Sequence, residues 1–98
     1  MAYGIILEFG PDVTKQQYDA VNEKLSLDPA TRSGDWPAGL KSHAGGTTPD
    51  GFVVYEVWES KADHEAWLGG RLGAALAAVG VSEPTRVTEV DIAGMLVP

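Results

Sequence analysis

Gly51-Phe52-Val53-Val54-Tyr55-Glu56-Val57-Trp58-Glu59-Ser60 runs without a break into Lys61-Ala62-Asp63-His64-Glu65-Ala66-Trp67-Leu68. The first part is dense in Val, Tyr, Phe and Trp, which suit a pleated, half-buried surface. Ser60 stands where its side chain can accept from the free N–H groups of a following helical turn. Asp63, three residues on, makes a weaker form of the capping box. The stretch therefore predicts a central strand that feeds directly into a helix.

Working outward, Thr47-Thr48-Pro49-Asp50-Gly51 is a turn between a second strand, Leu40 to Gly46, and a third, Phe52 to Glu59. Asp-Gly between two such runs is a hairpin signal. Tyr3 to Phe9 reads as the first strand, ended by Gly10-Pro11-Asp12. Thr14 with Gln17 forms a capping box, and Val13 with Tyr18 a hydrophobic staple. Tyr18, Val21 and Leu25 recur at helical spacing, so a first helix is expected from about Thr14 to Leu27. Asp28 to Pro37 is expected to be irregular, longer than the usual connection of about four to six residues, and it carries Trp36.

The second helical region is expected over Ser60 to about Val79, with Leu68, Leu72, Ala75, Leu76 and Val79 facing inward. Gly69, Gly70 and Gly73 each cost about 1 kcal/mol against alanine there, which predicts a kink, or two short helices with a break at Gly69-Gly70. Thr85 to Ala93 reads as the fourth strand. The order is β-α-β-β-α-β, the ferredoxin-like split unit: an α+β fold with a four-stranded antiparallel sheet and both helices on one face. One sheet face is left bare. The expected cover is a second copy of the chain, sheet to sheet, giving a homodimer. The apolar end, Gly94 to Pro98, is expected to dock on something.

Face assignments follow from the hairpin. If Gly46 opposes Gly51, Lys41 opposes Glu56 and His43 opposes Val54. Leu40, Ser42, Ala44, Val53, Tyr55 and Val57 then share a small apolar face, expected beneath the helices. Lys41, His43, Phe52, Val54, Glu56 and Trp58 share a mixed face. A one-residue slip would set His43 beside Tyr55 instead.

Ninety-eight residues, 44% hydrophobic and 21% charged, suit one folded domain with a single two-layer core, residues 1–98. A formal net charge of −7 argues against nucleic acid and anionic membrane, since both need a basic footprint. The absence of cysteine excludes disulfides, thiolate chemistry and cysteine metal sites. Met1-Ala2-Tyr3-Gly4 lacks a basic region followed by an apolar run, so no signal peptide is expected and cytoplasm is the default. No apolar stretch approaches membrane-spanning length.

The order of elements and the run Val57 to Leu68 resemble the dimeric α/β-barrel superfamily, in its antibiotic-biosynthesis-monooxygenase-like branch. The resemblance implies dimerisation through the sheets into an α/β barrel and a small-molecule pocket between sheet and helices. Chemistries in this superfamily include cofactor-free oxygenation of aromatic polyketides, oxidative haem breakdown and isomerisation, and some members have no known activity. The haem-degrading branch pairs a tryptophan of the second helix with a histidine about ten residues later and uses an asparagine in the first strand. Trp67 matches the tryptophan, but Ala77 stands where the histidine is expected. The chain's one asparagine, Asn22, lies on the first helix, so haem breakdown is not expected. The polyketide oxygenases of the group are similar in using Trp, Asn and Tyr around an aromatic substrate; Trp67 and Tyr55 match that pattern in this chain, and the asparagine is again missing from it. His64 takes a helix position where relatives carry a large apolar residue, which points it inward.

His43 is the leading catalytic candidate, because an imidazole titrates near neutrality and can move a proton either way. Glu56 on the same face would orient it. The alternative is a histidine held by a backbone carbonyl at the dimer interface. Trp36, Tyr55, Trp58, His64 and Trp67 are candidates for holding a ligand, Trp36 as a lid or else a plug under its loop, and His64 as a pocket wall or else a wet side chain over a core tryptophan. Glu8, Glu56, Glu89 and Asp91 are either a carboxylate cluster or partners of Lys41 and Arg86. No metal site and no phosphate-cradling loop is expected. The function these readings imply is a small enzyme, monooxygenase-like or isomerase-like, acting without a cofactor on a hydrophobic aromatic or polyketide-like molecule. The alternative is a non-catalytic ligand-binding or assembly module.

Overall fold

The computed structural model describes residues 2–95. The elements are β1 (Tyr3–Phe9), α1 (Lys15–Lys24), β2 (Leu27–Asp28), β3 (Ser33–Gly34), β4 (Leu40–Thr48), β5 (Gly51–Trp58), α2 (Lys61–Trp67), a π-helical turn (Leu68–Leu72), α3 (Gly73–Val79) and β6 (Arg86–Asp91). One antiparallel sheet holds β4, β5, β1 and β6 in that order. Apart from the small β2–β3 ribbon, this is the ferredoxin-like arrangement that the sequence predicts. Both caps form: the Gln17 N–H donates to Thr14 Oγ1 and the Asp63 N–H to Ser60 Oγ, each at 3.2 Å. Leu96 to Pro98, the greater part of the apolar end, lie outside the described residues. Met95 is exposed.

Two local expectations need correction. α1 stops at Lys24 rather than Leu27, because Ser26 adopts a left-handed backbone (φ 58) that a helix cannot continue through. Leu27 is thereby turned into β2, and the connection is a short ribbon rather than irregular chain. Gly34, at φ 114, pairs with Leu27, and a Cβ there would lie 2.2 Å from the Ser26 carbonyl oxygen. The break in the second helical region falls where the glycines place it, with Gly70 leaving helical geometry at φ −110, ψ −117.

The β4–β5 turn is tighter than expected. Thr48 opposes Gly51, so Pro49 and Asp50 alone make the loop. From Ser42 to Thr48 the register is displaced by two residues from the one expected, which keeps those side chains on their faces but changes their neighbours. His43 therefore opposes Glu56, not Val54, and Lys41 reaches Glu59 at 2.8 Å rather than Glu56. A bulge between Leu40 and Ser42 turns Leu40 toward the core.

The face expected beneath the helices is the wrong one. Helices cover the mixed face of His43, Glu56 and Trp58, while Tyr55 on the other face is 39% exposed. The reason is apolar bulk. The mixed face carries Ile5, Leu7, Phe9, Phe52 and Trp58, and covering those side chains outweighs enclosing a few polar groups that satisfy one another. Trp58 is 0% exposed and packs with Ile5, Val21, Leu25, Leu27, Trp67 and Ala75. The Arg71 guanidinium lies 5.1 Å over the Trp67 ring, donates to the Leu25 carbonyl at 2.8 Å and pairs with Asp35 at 3.2 Å. It thus closes the end of α1 and pins the loop that carries Trp36. No helix among the described residues is long and apolar enough to cross a membrane.

Candidate functional site

A cavity of about 610 Å³ lies between the sheet and the helices. Its walls are mainly aliphatic and aromatic, with Ile5, Leu7 and Phe9 from β1 and Leu72 and Leu76 from the helical side. Leu68, 44% exposed, and the exposed Val87 mark where it meets the surface. Five polar side chains converge on it from the helices and sheet: Tyr18, Asn22, His43, Glu56 and His64. An apolar pocket with a few convergent polar groups is the usual form of a small-molecule site.

Four residues form a hydrogen-bonded line along one wall. The Trp58 indole N–H donates to Glu56 Oε1 at 3.1 Å. Glu56 Oε2 lies 2.7 Å from His43 Nδ1. His43 Nε2 lies 2.5 Å from the Tyr18 hydroxyl. A carboxylate only accepts, so Nδ1 carries the imidazole proton and Nε2 is left as the acceptor for the Tyr18 O–H. Burial raises the Tyr18 pKa, the Asn22 amide partly offsets this, and the Glu56 and Asp19 charges add to it, so Tyr18 stays a phenol. Glu56 is 5% exposed, and both its oxygens are engaged, as a buried carboxylate requires.

Local structure explains each placement. His43 and Glu56 are cross-strand neighbours on β4 and β5. Trp58 follows Glu56 by two, on the same face. Tyr18 is in α1, held over β4 because residue 45 is glycine: a Cβ there would lie 2.7 Å from a Tyr18 ring carbon. The Trp36 ring packs on His43 at 5.3 Å between centroids, and its N–H donates to the Ser33 carbonyl at 3.0 Å. His64, in α2, is buried between Tyr3 and Trp58, with ring centroids 6.0 and 5.5 Å away. Burial lowers its pKa, against the opposing pull of Glu56, Glu65 and Glu89.

Of the candidates from sequence, His43, Glu56 and His64 line the cavity. Tyr55 does not; it lies on the opposite sheet face. Trp67 is packed into the core beneath Arg71, Trp36 backs His43 from outside, and Trp58 serves Glu56 rather than a ligand. The four carboxylates do not cluster. Glu8 sits on the bare face near Arg86 at 3.7 Å, and Glu89 accepts from the Tyr3 hydroxyl at 2.9 Å and pairs with Lys61 at 2.8 Å. Among the described residues no three His, Asp or Glu side chains are grouped to hold a metal ion. Sequence reasoning missed Tyr18 and Asn22. The signal was present: an amide one turn after Tyr18, within the apolar stripe of Tyr18, Val21 and Leu25.

No protein-family model and no curated protein matches the sequence. Solved structures do. A candidate antibiotic biosynthesis monooxygenase from Chloroflexus aurantiacus J-10-fl is 22% identical, with a TM-score of 0.67, over 98% of this chain and 97% of that one. A dimeric ferredoxin-like protein of unknown function from Thermobifida fusca is 24% identical, with a TM-score of 0.53, over 91% and 86%. The ActVA-Orf6 monooxygenase of Streptomyces coelicolor, in complex with Nanaomycin D, is 17% identical, with a TM-score of 0.53, over 99% and 90%. The likeness is one of fold: the chain shares the ferredoxin-like architecture of antibiotic biosynthesis monooxygenase structures, as the sequence resemblance implied.

Two outcomes test the site as drawn. In Gly45→Ala the new methyl must push the Tyr18 ring away from β4. The imidazole 15N shift of His43 Nε2 should then move to that of an unbonded acceptor while cooperative unfolding in urea is retained. An unchanged shift would show that Tyr18 does not depend on the glycine. For His64, the folded-state pKa lies below the ordinary 6.5. The unfolded chain therefore binds more protons in that window, and stability is full above about 6.5 and falls as pH drops through the lowered folded value. The urea midpoint should fall more between pH 7.5 and 5 for the wild type than for His64→Gln; equal falls would refute it.

Proposed function

We propose that this protein is a small enzyme that removes a proton from a hydrophobic aromatic or polyketide-like molecule in the cavity, without a bound cofactor. The observation that carries this is the line Trp58–Glu56–His43–Tyr18 set into an apolar wall. Glu56 fixes the tautomer that leaves Nε2 basic and stabilises the imidazolium that forms. Nε2 takes the Tyr18 proton as Tyr18 takes one from the ligand, or takes it directly where a ligand hydroxyl displaces Tyr18. The resulting anion either regains a proton at another atom, which is isomerisation, or reacts with dioxygen, which is oxygenation. The fold relative that is a monooxygenase bound to Nanaomycin D supports a small-molecule reading of this cavity.

A second reading has its own support. Each link from Trp58 to Tyr18 is already paired within the protein, as in a network that only builds a binding wall. A panel of phenolic and anthrone-like compounds separates the two. Turnover, followed by absorbance and by deuterium exchange at the acidic C–H, should fall by about 10²–10⁴ in His43→Gln and in Glu56→Gln with ligand binding kept. Tight binding with no turnover by the wild type would favour the binding module.

We also propose a homodimer through the bare sheet face, where Ile6, Ala44, Val53, Tyr55 and Val90 leave an apolar surface of the sheet without a covering layer. The Thermobifida fusca relative in fold is dimeric. Light scattering should give twice the chain mass for the wild type and the chain mass for Tyr55→Asp; a wild-type monomer at micromolar concentration would refute the dimer.

A further inference from the structure

The line of paired groups accounts for Tyr18, His43 and Glu56 among the polar residues around the cavity, but not for Asn22. Asn22 is 7% exposed, it lines the cavity, and its side-chain nitrogen Nδ2 makes no hydrogen bond of ordinary length, although the amide is near enough to the Tyr18 hydroxyl to lower that phenol's pKa. A buried donor left unpaired costs about 1–3 kcal/mol. Asparagine is also a middling helix former, so propensity does not explain an amide on the inward stripe of α1. Gln17 Oε1, the other unpartnered buried side-chain atom among the described residues, belongs to a residue outside the cavity lining, so the deficit at Asn22 is the one a ligand in the cavity would relieve.

The neighbours of Asn22 define what it would receive. Tyr18 is one turn before it on α1, and the two side chains share the same inner stripe. The Tyr18 proton is committed to His43 Nε2, so Tyr18 has none to offer a ligand at rest. Glu56 is an acceptor only. Asn22 is therefore a neutral donor left free one turn from Tyr18, the end of the proton-moving line, while His64, the other neutral polar group from the helices, packs between Tyr3 and Trp58. We propose that Asn22 Nδ2 binds an oxygen of the bound molecule, so that the cavity selects apolar ring compounds bearing a carbonyl or phenolate oxygen. This inference rests on reading the cavity as a ligand site. Its consequence for that reading is direct: a donor on a ligand carbonyl would stabilise the enolate formed when Tyr18 and His43 take the neighbouring proton.

Binding, not turnover, is the test. 1-Tetralone and tetralin share a carbon skeleton and differ by one carbonyl oxygen. The wild type should bind 1-tetralone about tenfold more tightly, a ratio equivalent to about 1.4 kcal/mol. 1-Tetralone, and not tetralin, should move the Asn22 side-chain amide resonances in a 1H–15N spectrum. Asn22→Leu should keep tetralin binding and lose the preference. Asn22→Asp, similar in shape but an acceptor, should bind the ketone more weakly than the hydrocarbon, and it covers the case in which the leucine variant fails to fold. Equal affinities in the wild type, an unmoved Asn22 amide, or a preference retained in both variants would overturn the proposal. If the preference holds and no compound turns over, Asn22 stands and the enzymatic reading fails. If turnover holds with no preference, the reverse is true.

Discussion

Glu56 is the constraint on which the arrangement turns. A carboxylate that is nearly withdrawn from water is costly unless each oxygen finds a donor. Here one oxygen takes the Trp58 indole and the other takes His43. Those bonds demand that β4 pair with β5 in the register that sets His43 opposite Glu56. They also demand that Trp58 lie on the same face, where its ring becomes the centre of the core. The imidazole, so oriented, presents Nε2 to Tyr18, and α1 is anchored over β4 by that contact and by the missing Cβ at Gly45. A single buried charge thus links strand register, core packing and the position of the first helix.

The same constraint explains why the helices cover the face that looks less suitable by composition. A small, smooth apolar surface such as Ala44, Val53, Tyr55 and Val57 offers little area per residue. The mixed face offers Phe52, Trp58, Ile5 and Phe9, and its polar members need no water because they pair among themselves. Apolar area decides the side, and internal pairing removes the objection to it. The Tyr18–His43 contact joins helix to strand, and both side chains form part of the cavity wall.

Much of the fold was legible in the chain. Ser60 and Thr14 cap where their side chains allow it, the glycines at 69 and 70 break the second helical region, and the turn residues mark the hairpin. What was not legible depended on distance along the chain. Hairpin register turned on whether Thr47 and Thr48 belong to the loop or the strand, and local propensity permits both. The covered face depended on summed areas of four strands rather than on one. At the site, His43 and Glu56 were visible as a pair on one face, but Tyr18 was absorbed into a helical stripe whose apolar reading is correct for Val21 and Leu25. Nothing local separates a tyrosine that fills a core from one whose hydroxyl meets a histidine twenty-five residues on. Asn22 was the stronger clue, since an amide within an apolar stripe conflicts with burial alone.

A cavity of about 610 Å³ is a large concession for a chain of 98 residues. Domains this small have one core, and side chains facing empty space forfeit contacts that a filled core would make. Such a void persists where the surrounding elements cannot relax into it. The rigid members here are the sheet, held by three antiparallel pairings, and the two helical segments, propped by Arg71 at one end and by Tyr18 on His43 at the other. Collapse would require breaking the line that satisfies Glu56 and would leave a buried carboxylate short of its donors. The open space and the buried carboxylate are in this sense one feature: the polar line holds the walls apart, and the space it holds open is the one that Tyr18, at the end of the line, and Asn22, one turn further along α1, both face.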